Sequence, residues 1–232
     1  MESLLMYKII ISCEHATNNV PKDYQALFSG QSEVLNSHRG WDPGAIVLAS
    51  AISKNLKVPL FSYPYTRLLI EPNRSLKHPK LYSEFSKNLS QERKDQITRD
   101  YYLPYRKRVE DMVQQQISNK KMVLHLSIHS FVPELSGKLR DFEIGILYDP
   151  KRETEKEFGR AWKKSLLNCV PHYRIRMNQP YKGSSDGFTT HLRKNFNSQQ
   201  YLGIELEVNQ KIISRGKLLD LFTTSLLEII RS

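Results

Sequence analysis

Two apolar runs constrain this chain most. Tyr7–Cys13 (YKIIISC) and Met122–His129 (MVLHLSIH) are continuous enough in Ile, Leu and Val to be buried strands of one sheet. Each leads directly into a histidine motif, Cys13-Glu14-His15 in the first case and His129-Ser130-Phe131 in the second. Polar residues at strand ends are where open α/β sheets place their chemistry. In the second run Leu124, Leu126 and Ile128 share one face, while His125, Ser127 and His129 share the other.

The rest of the pattern alternates strands with helices. Ala45, Leu48, Ala49, Ile52 and Leu56 recur at helical spacing and predict a helix over Gly44–Leu56. Val58–Tyr63 reads as a strand and Leu68–Ile70 as a short one. Gln91–Ser118 reads as a long charged helical stretch that Pro104 breaks or kinks. Phe142–Tyr148 and Tyr201–Val208 are expected as further strands, and Glu153–Leu167 and Lys217–Ile230 as helices. The expected class is α/β with a mixed or parallel sheet, in one domain over residues 1–232. The Gly-, Ser- and Pro-rich segment Asn178–Thr190 is expected to be a functional loop or lid.

Composition excludes several classes. No apolar run reaches the length of a membrane span, and the N-terminus lacks a signal-peptide pattern. Two cysteines, Cys13 and Cys169, imply no disulfide framework, so a reducing, cytoplasmic location is expected. The net charge of +11 is spread over the chain, with no basic tail or arginine-rich run. That pattern predicts a solvated basic surface, with no membrane partner and nucleic acid an unlikely one.

His15 and His129 are the leading metal-ligand candidates, because imidazole suits zinc and similar divalent ions and both sit at the ends of rigid strands. Asp42, Glu14 and His38 are candidates for a third ligand. Asp42 alternatively caps the helix at Gly44, and Glu14 alternatively orients a ligand from behind. Arg67, Asn73 and Arg74 form a second group suited to a substrate carboxylate, unless Arg74 merely pairs with Glu71. Glu205 and Glu207 lie two apart on a strand and face the same way. One of them is a candidate general base, the alternative being an edge strand with a wet face. Cys13, inside an apolar strand, is read as core.

In order along the chain stand Cys13-Glu14-His15-Ala16 with Asn19-Val20-Pro21, His38 through Trp41-Asp42-Pro43-Gly44-Ala45, Thr66-Arg67-Leu68-Leu69-Ile70-Glu71-Pro72-Asn73-Arg74, Ile128-His129-Ser130-Phe131-Val132-Pro133, Gly145-Ile146-Leu147-Tyr148, Asn178–Tyr181 and Glu207-Val208-Asn209. This ordered set resembles the N-formylglutamate amidohydrolase family, which looks related to zinc carboxypeptidases and aspartoacylase-type deacylases. The resemblance implies a three-layer α/β/α fold with a mixed, mostly parallel sheet. It implies a zinc-dependent hydrolase that removes a formyl or other acyl group from an N-acyl amino acid, a small-molecule substrate such as N-formylglutamate. On that basis His15 and His129 are expected zinc ligands, with Asp42 or Glu14 completing the set. Arg67 is expected to polarise the carbonyl. Asn73, Arg74, Ser130 and Tyr181 are expected to hold substrate, and Glu207 is preferred to Glu205 as the base. Three departures stand out: Glu71 replaces the family's usual Asp, the late strand reads Glu207-Val208-Asn209-Gln210 where some members carry an acid-arginine pattern, and no glutamate follows His15 at the third position, where Asn18 stands. Alternative readings are a metallocarboxypeptidase or amidase acting on peptides or cell-wall fragments, and a non-catalytic binding module on the same scaffold.

Overall fold

The computed structural model describes residues 7–119, 121–213 and 216–231. In chain order the strands are β1 (Tyr7–Cys13), β2 (Leu60–Ser62), β3 (Met122–Phe131), β4 (Glu134–Leu135), β5 (Lys138–Leu139), β6 (Ile144–Leu147), β7 (Ile175–Met177) and β8 (Tyr201–Asn209). The helices are α1 (Ser32–Asn36), α2 (Ala45–Leu56), α3 (Gln91–Ile97), α4 (Leu103–Ser118), α5 (Glu153–Cys169), α6 (Phe188–Asn195) and α7 (Gly216–Ile230). Six strands form one sheet in the order β2-β1-β3-β8-β6-β7, and β4 and β5 make a separate small hairpin. The first four strands of the sheet are mutually parallel. β6 runs antiparallel to β8 and parallel to β7. The sheet is therefore mixed and mostly parallel, with helices on both faces, as expected.

Alternation along the central strands sorts the two faces. Ile9, Ile11 and Cys13 of β1, Leu124, Leu126 and Ile128 of β3 and Leu202 through Val208 on alternate positions of β8 pack with α2, α5 and α7. Burying each such Ile or Leu contributes roughly 1.5–3 kcal/mol. The opposite face is split. Near the strand starts Ile10, Val123 and Tyr201 pack with Tyr105, Val109 and Val113 of α4 and Phe188 and Leu192 of α6. Toward the strand ends the same face becomes polar: Ser12 lies beside Ser127, Ser127 beside Glu205, and His129 beside Glu207. Tyr105 of α4 and Thr189 of α6 reach this patch with hydroxyls, bonding Glu14 and Glu205.

Three local expectations are revised. Leu68–Ile70 is a turn, closed by Leu69 N–H on the Thr66 carbonyl at 3.2 Å and by the Thr66 hydroxyl on the Gly40 carbonyl at 2.9 Å. All three side chains are buried, which a half-covered strand could not achieve for consecutive residues. The stretch 91–118 is helical throughout. Pro104, with no N–H to give, sits in the first turn of α4, and a single π turn over Thr98–Tyr102 absorbs the mismatch, Leu103 N–H reaching the Thr98 carbonyl. Within the expected loop Asn178–Thr190, α6 already begins at Phe188.

Candidate active site

His15 follows β1 and His129 lies near the end of β3, so the two imidazoles come from neighbouring parallel strands. Their rings stand 4.9 Å apart between centroids. Asp42 reaches them from the segment before α2, whose backbone is tied down by Asp42 N–H on the His15 carbonyl at 2.9 Å. Asp42 is not the cap of α2. Gly44 takes that position in the left-handed region (φ 84°), with no side-chain cap.

Asp42 Oδ2 lies 3.2 Å from His15 Nδ1 and 3.0 Å from His129 Nδ1, and the two Nδ1 atoms are 3.2 Å apart. A tetrahedron built on zinc–nitrogen and zinc–oxygen bonds of about 2.0–2.2 Å has edges of about 3.3 Å, so the three atoms trace one face of such a polyhedron. The remaining ring nitrogens are backed by acids. His15 Nε2 meets Glu71 Oε1 at 2.6 Å. His129 Nε2 meets Ser127 Oγ at 2.8 Å and Glu14 Oε2 at 3.3 Å. Nε2–H groups given to carboxylates leave both Nδ1 lone pairs converging on Asp42, an arrangement that a cation satisfies and neutral rings alone do not. Among the described residues His15, Asp42 and His129 are the one group of this kind. Glu14 lies outside it, fully buried behind His129, and accepts from the Ser127 hydroxyl at 2.6 Å and the Tyr105 hydroxyl at 3.1 Å.

Electrostatics point the same way. Burial alone would raise the carboxyls of Glu14, Asp42 and Glu71, but each ends well below its ordinary range. The opposing partners are the His129 hydrogen bond and charge for Glu14, His15 and His129 for Asp42, and Arg67 and His15 for Glu71. Burial likewise works against charge on the histidines. Glu71 and Asp42 nevertheless raise His15, and hydrogen bonds to Asp42 and Glu14 raise His129. Three ionised acids thus draw positive charge to the point where the Nδ1 atoms meet. His125, deeper on β3, behaves oppositely: burial first of all lowers it to about 4. It stays in a neutral chain between Ser12 Oγ and Tyr201 Oη, 2.7 Å from each.

The cleft above this group has a volume of about 210 Å³. Arg67, Asn73, Arg74, Ser130, Tyr181, Glu205 and Glu207 all line it, together with His38, Arg140 and Asp186. Arg67 is oriented by Glu71, its Nε lying 2.6 Å from Oε2, and more weakly by Asp42 at 3.5 Å. Arg74 does not pair with Glu71; its guanidinium donates to the Asp186 backbone carbonyl. The Asn73 amide oxygen accepts from Phe188 N–H at 2.7 Å, which leaves its NH₂ group as a donor. Ser130 donates its hydroxyl to the Pro43 carbonyl at 2.8 Å. Tyr181 is half-exposed at the mouth.

The two strand glutamates differ. β8 is an interior strand, so neither belongs to a wet edge. Glu205 accepts from the Thr189 hydroxyl. Glu207 is buried, and its Oε2 has no hydrogen-bond partner among the described residues. Burial, opposed by His129 and helped by Asp42 and Glu205, pushes its carboxyl up to about 8. Ser127, Tyr105, Arg140 and Asp186 were not singled out from sequence. Ser127 was visible in the polar face of β3; the other three reach the site from elements whose placement depends on the fold.

Comparison with known proteins agrees with this architecture. No curated protein matches the sequence. Among solved structures the chain is similar to the gene product Atu2144 of Agrobacterium tumefaciens, with 26% identity, a TM-score of 0.78, and coverage of 97% of this chain and 92% of that one. It shares its fold with an N-formylglutamate amidohydrolase of Ralstonia eutropha JMP134, with 16% identity, a TM-score of 0.72, and coverage of 97% and 93%. Residues 7–214, which include every residue of the cleft, match the N-formylglutamate amidohydrolase family, and the chain belongs to that family of amidohydrolases.

Proposed function

We propose that this protein hydrolyses the amide bond of an N-acyl amino acid, N-formylglutamate being the compound after which its family is named, with a divalent cation, zinc, held by His15, Asp42 and His129. The triangle of donor atoms with 3.0–3.2 Å edges, each imidazole backed by its own acid, carries the reading. A cation held there supplies an acidified water and a Lewis acid. The chain's own groups do the rest. Glu207 lines the cleft with one carboxylate oxygen that has no hydrogen-bond partner among the described residues. Its raised carboxyl would be held ionised by a cation beside it, and it takes the proton from the attacking water and returns it to the leaving nitrogen. The C–N bond breaks, giving a carboxylate (formate for a formyl substrate) and a free amino acid.

Arg67, its guanidinium oriented by Glu71, faces the oxygen that gains negative charge as the carbonyl is attacked. Arg74 and the Asn73 NH₂ group hold the α-carboxylate and fix the approach of the acyl carbon. Ser130 and Tyr181 border the bound substrate, and Glu205 with Thr189 supports the strand that carries the base. Glu14 and Glu71 hold the imidazoles in place. The test is release of formate from N-formyl-L-glutamate by protein as purified, after chelation, and after zinc is restored. Activity that disappears and returns supports the reading. Full activity after exhaustive chelation overturns the role of the cation, and no hydrolysis of any N-acyl amino acid overturns the substrate class.

A further inference from the structure

Three arginines line the cleft, and they are not equivalent. Arg67 is held by Glu71 and Asp42. Arg74 meets a backbone carbonyl. Arg140 has no carboxylate within ion-pair distance among the described residues, although it is half-buried. It follows the short hairpin formed by β4 and β5, whose residues 134–139 are all exposed and turn through left-handed Ser136 (φ 53°) and Gly137 (φ 76°). Such a hairpin does not fix a side chain by itself. What fixes Arg140 is its own N–H on the Pro133 carbonyl at 2.8 Å and two rings, Phe131 at 5.7 Å and Tyr181 at 5.2 Å from the guanidinium carbon. One Nη2–H donates to Tyr181 Oη at 3.1 Å. The guanidinium carries five N–H donors, and among the described residues only this one is used by another side chain.

A planar cation stacked into place, half out of water and short of an anion, is arranged to receive one. It reaches the cleft from the hairpin after β3, whereas Arg74 comes from the segment after β2, and the two are tied to different residues of the loop 178–187, Arg140 to Tyr181 and Arg74 to Asp186. Resting on the hydrolase reading above, with the α-carboxylate at Arg74 and Asn73, we propose that Arg140 is a specificity-determining residue that binds the side-chain carboxylate of an N-acyl dicarboxylic amino acid. Tyr181 acts through it as a positioning residue, holding the guanidinium over the cleft. The preference for an acidic side chain is thereby set on the hairpin and loop, not at the reacting centre.

The experiment compares N-formyl-L-glutamate with N-formyl-L-glutamine, nearly isosteric and differing in side-chain charge, on the full-length wild type, Arg140→Gln and Arg140→Lys. Wild type is expected to prefer the glutamate compound. Arg140→Gln should lower kcat/KM for that compound about 30-fold, mainly through KM, in line with the loss of a charge-assisted hydrogen-bonded pair. The glutamine compound should change less than about threefold, and Arg140→Lys should keep part of the preference. Equal losses on both compounds would mean that Arg140 only braces Tyr181 and the hairpin, and would overturn the assignment. If the wild type hydrolyses neither compound, the hydrolase reading fails separately, and calorimetric binding of the same two compounds decides. Glutamate-selective binding that disappears in Arg140→Gln sustains the role of Arg140. Equal binding of the two compounds, or none, overturns it.

Discussion

Glu207, the proposed base, ties the stability of the fold to pH through one buried carboxyl. Its carboxyl, pushed up to about 8 chiefly by burial, lies above the ordinary value it takes in the unfolded chain. Between roughly pH 4.5 and 8 the folded cation-free protein therefore keeps a proton that the unfolded chain has lost, and stability falls as pH rises through that window. Glu207→Gln should remove this loss, so the chelated variant gains on the chelated wild type by about 1 kcal/mol per pH unit, read by denaturant unfolding at pH 5, 6, 7 and 8. In the cation-loaded protein the same substitution should lower kcat by about 10²–10⁴ while the ion stays bound. The histidines carry the same sign in the cation-free protein, their contribution to stability also being lost as pH rises. His15 and His129 are held above their ordinary value by Asp42 and the acids behind them, so a cation must displace their protons. Its affinity should weaken as pH falls, about tenfold per unit for each proton released, and titration calorimetry in buffers of different ionisation enthalpy reads that number. His15, Asp42, His129 and Glu207 were legible because metal- and proton-handling residue types stand at the ends of apolar runs. The partner of Arg67 was not: sequence suggested Glu71 with Arg74, and only the turn at Leu68–Ile70 decides that Arg67 takes it.

At the scale of elements, the loop over the cleft is positioned by close backbone approach to β6. A Cβ on Gly145 would lie 2.0 Å from the Gln179 carbonyl oxygen and 3.2 Å from Glu207 Cβ. Gly145→Ala should push the loop away and disturb Glu207, the proposed base, together, costing about 1–3 kcal/mol in thermal unfolding and lowering kcat/KM by about tenfold or more. A cost without any change in kcat/KM would show that the loop's position is irrelevant to turnover. β1 was readable as a continuous apolar run, and β3, β8 and α2 because each carries a period of its own. Leu68–Ile70 was misread because three consecutive apolar residues fit a strand and a buried turn equally well. α6 was hidden because it is short and preceded by Gly, Ser and Pro. Its apolar positions Phe188 and Leu192 make sense only once α4 is packed beside them.

In the whole molecule one face of the sheet is packed by apolar helices throughout and the other only near the strand starts, and the acids and histidines gather, still buried, beyond that apolar packing. Three buried carboxylates around two imidazoles are an arrangement whose cost a bound cation offsets. Ligand binding to the folded state stabilises it by about 2.7 kcal/mol at a hundredfold excess over Kd. Chelation should therefore lower Tm by about 5–10 °C for a domain of this size, and His129→Ala should show no such response. The central claim is tested most directly by elemental analysis of wild type and His129→Ala, with N-formyl-L-glutamate hydrolysis measured on the same samples and folding checked by circular dichroism. The account predicts about one divalent ion per chain with turnover in the wild type, and loss of both in a folded variant. A His129→Ala protein that kept its ion and its full activity would contradict it.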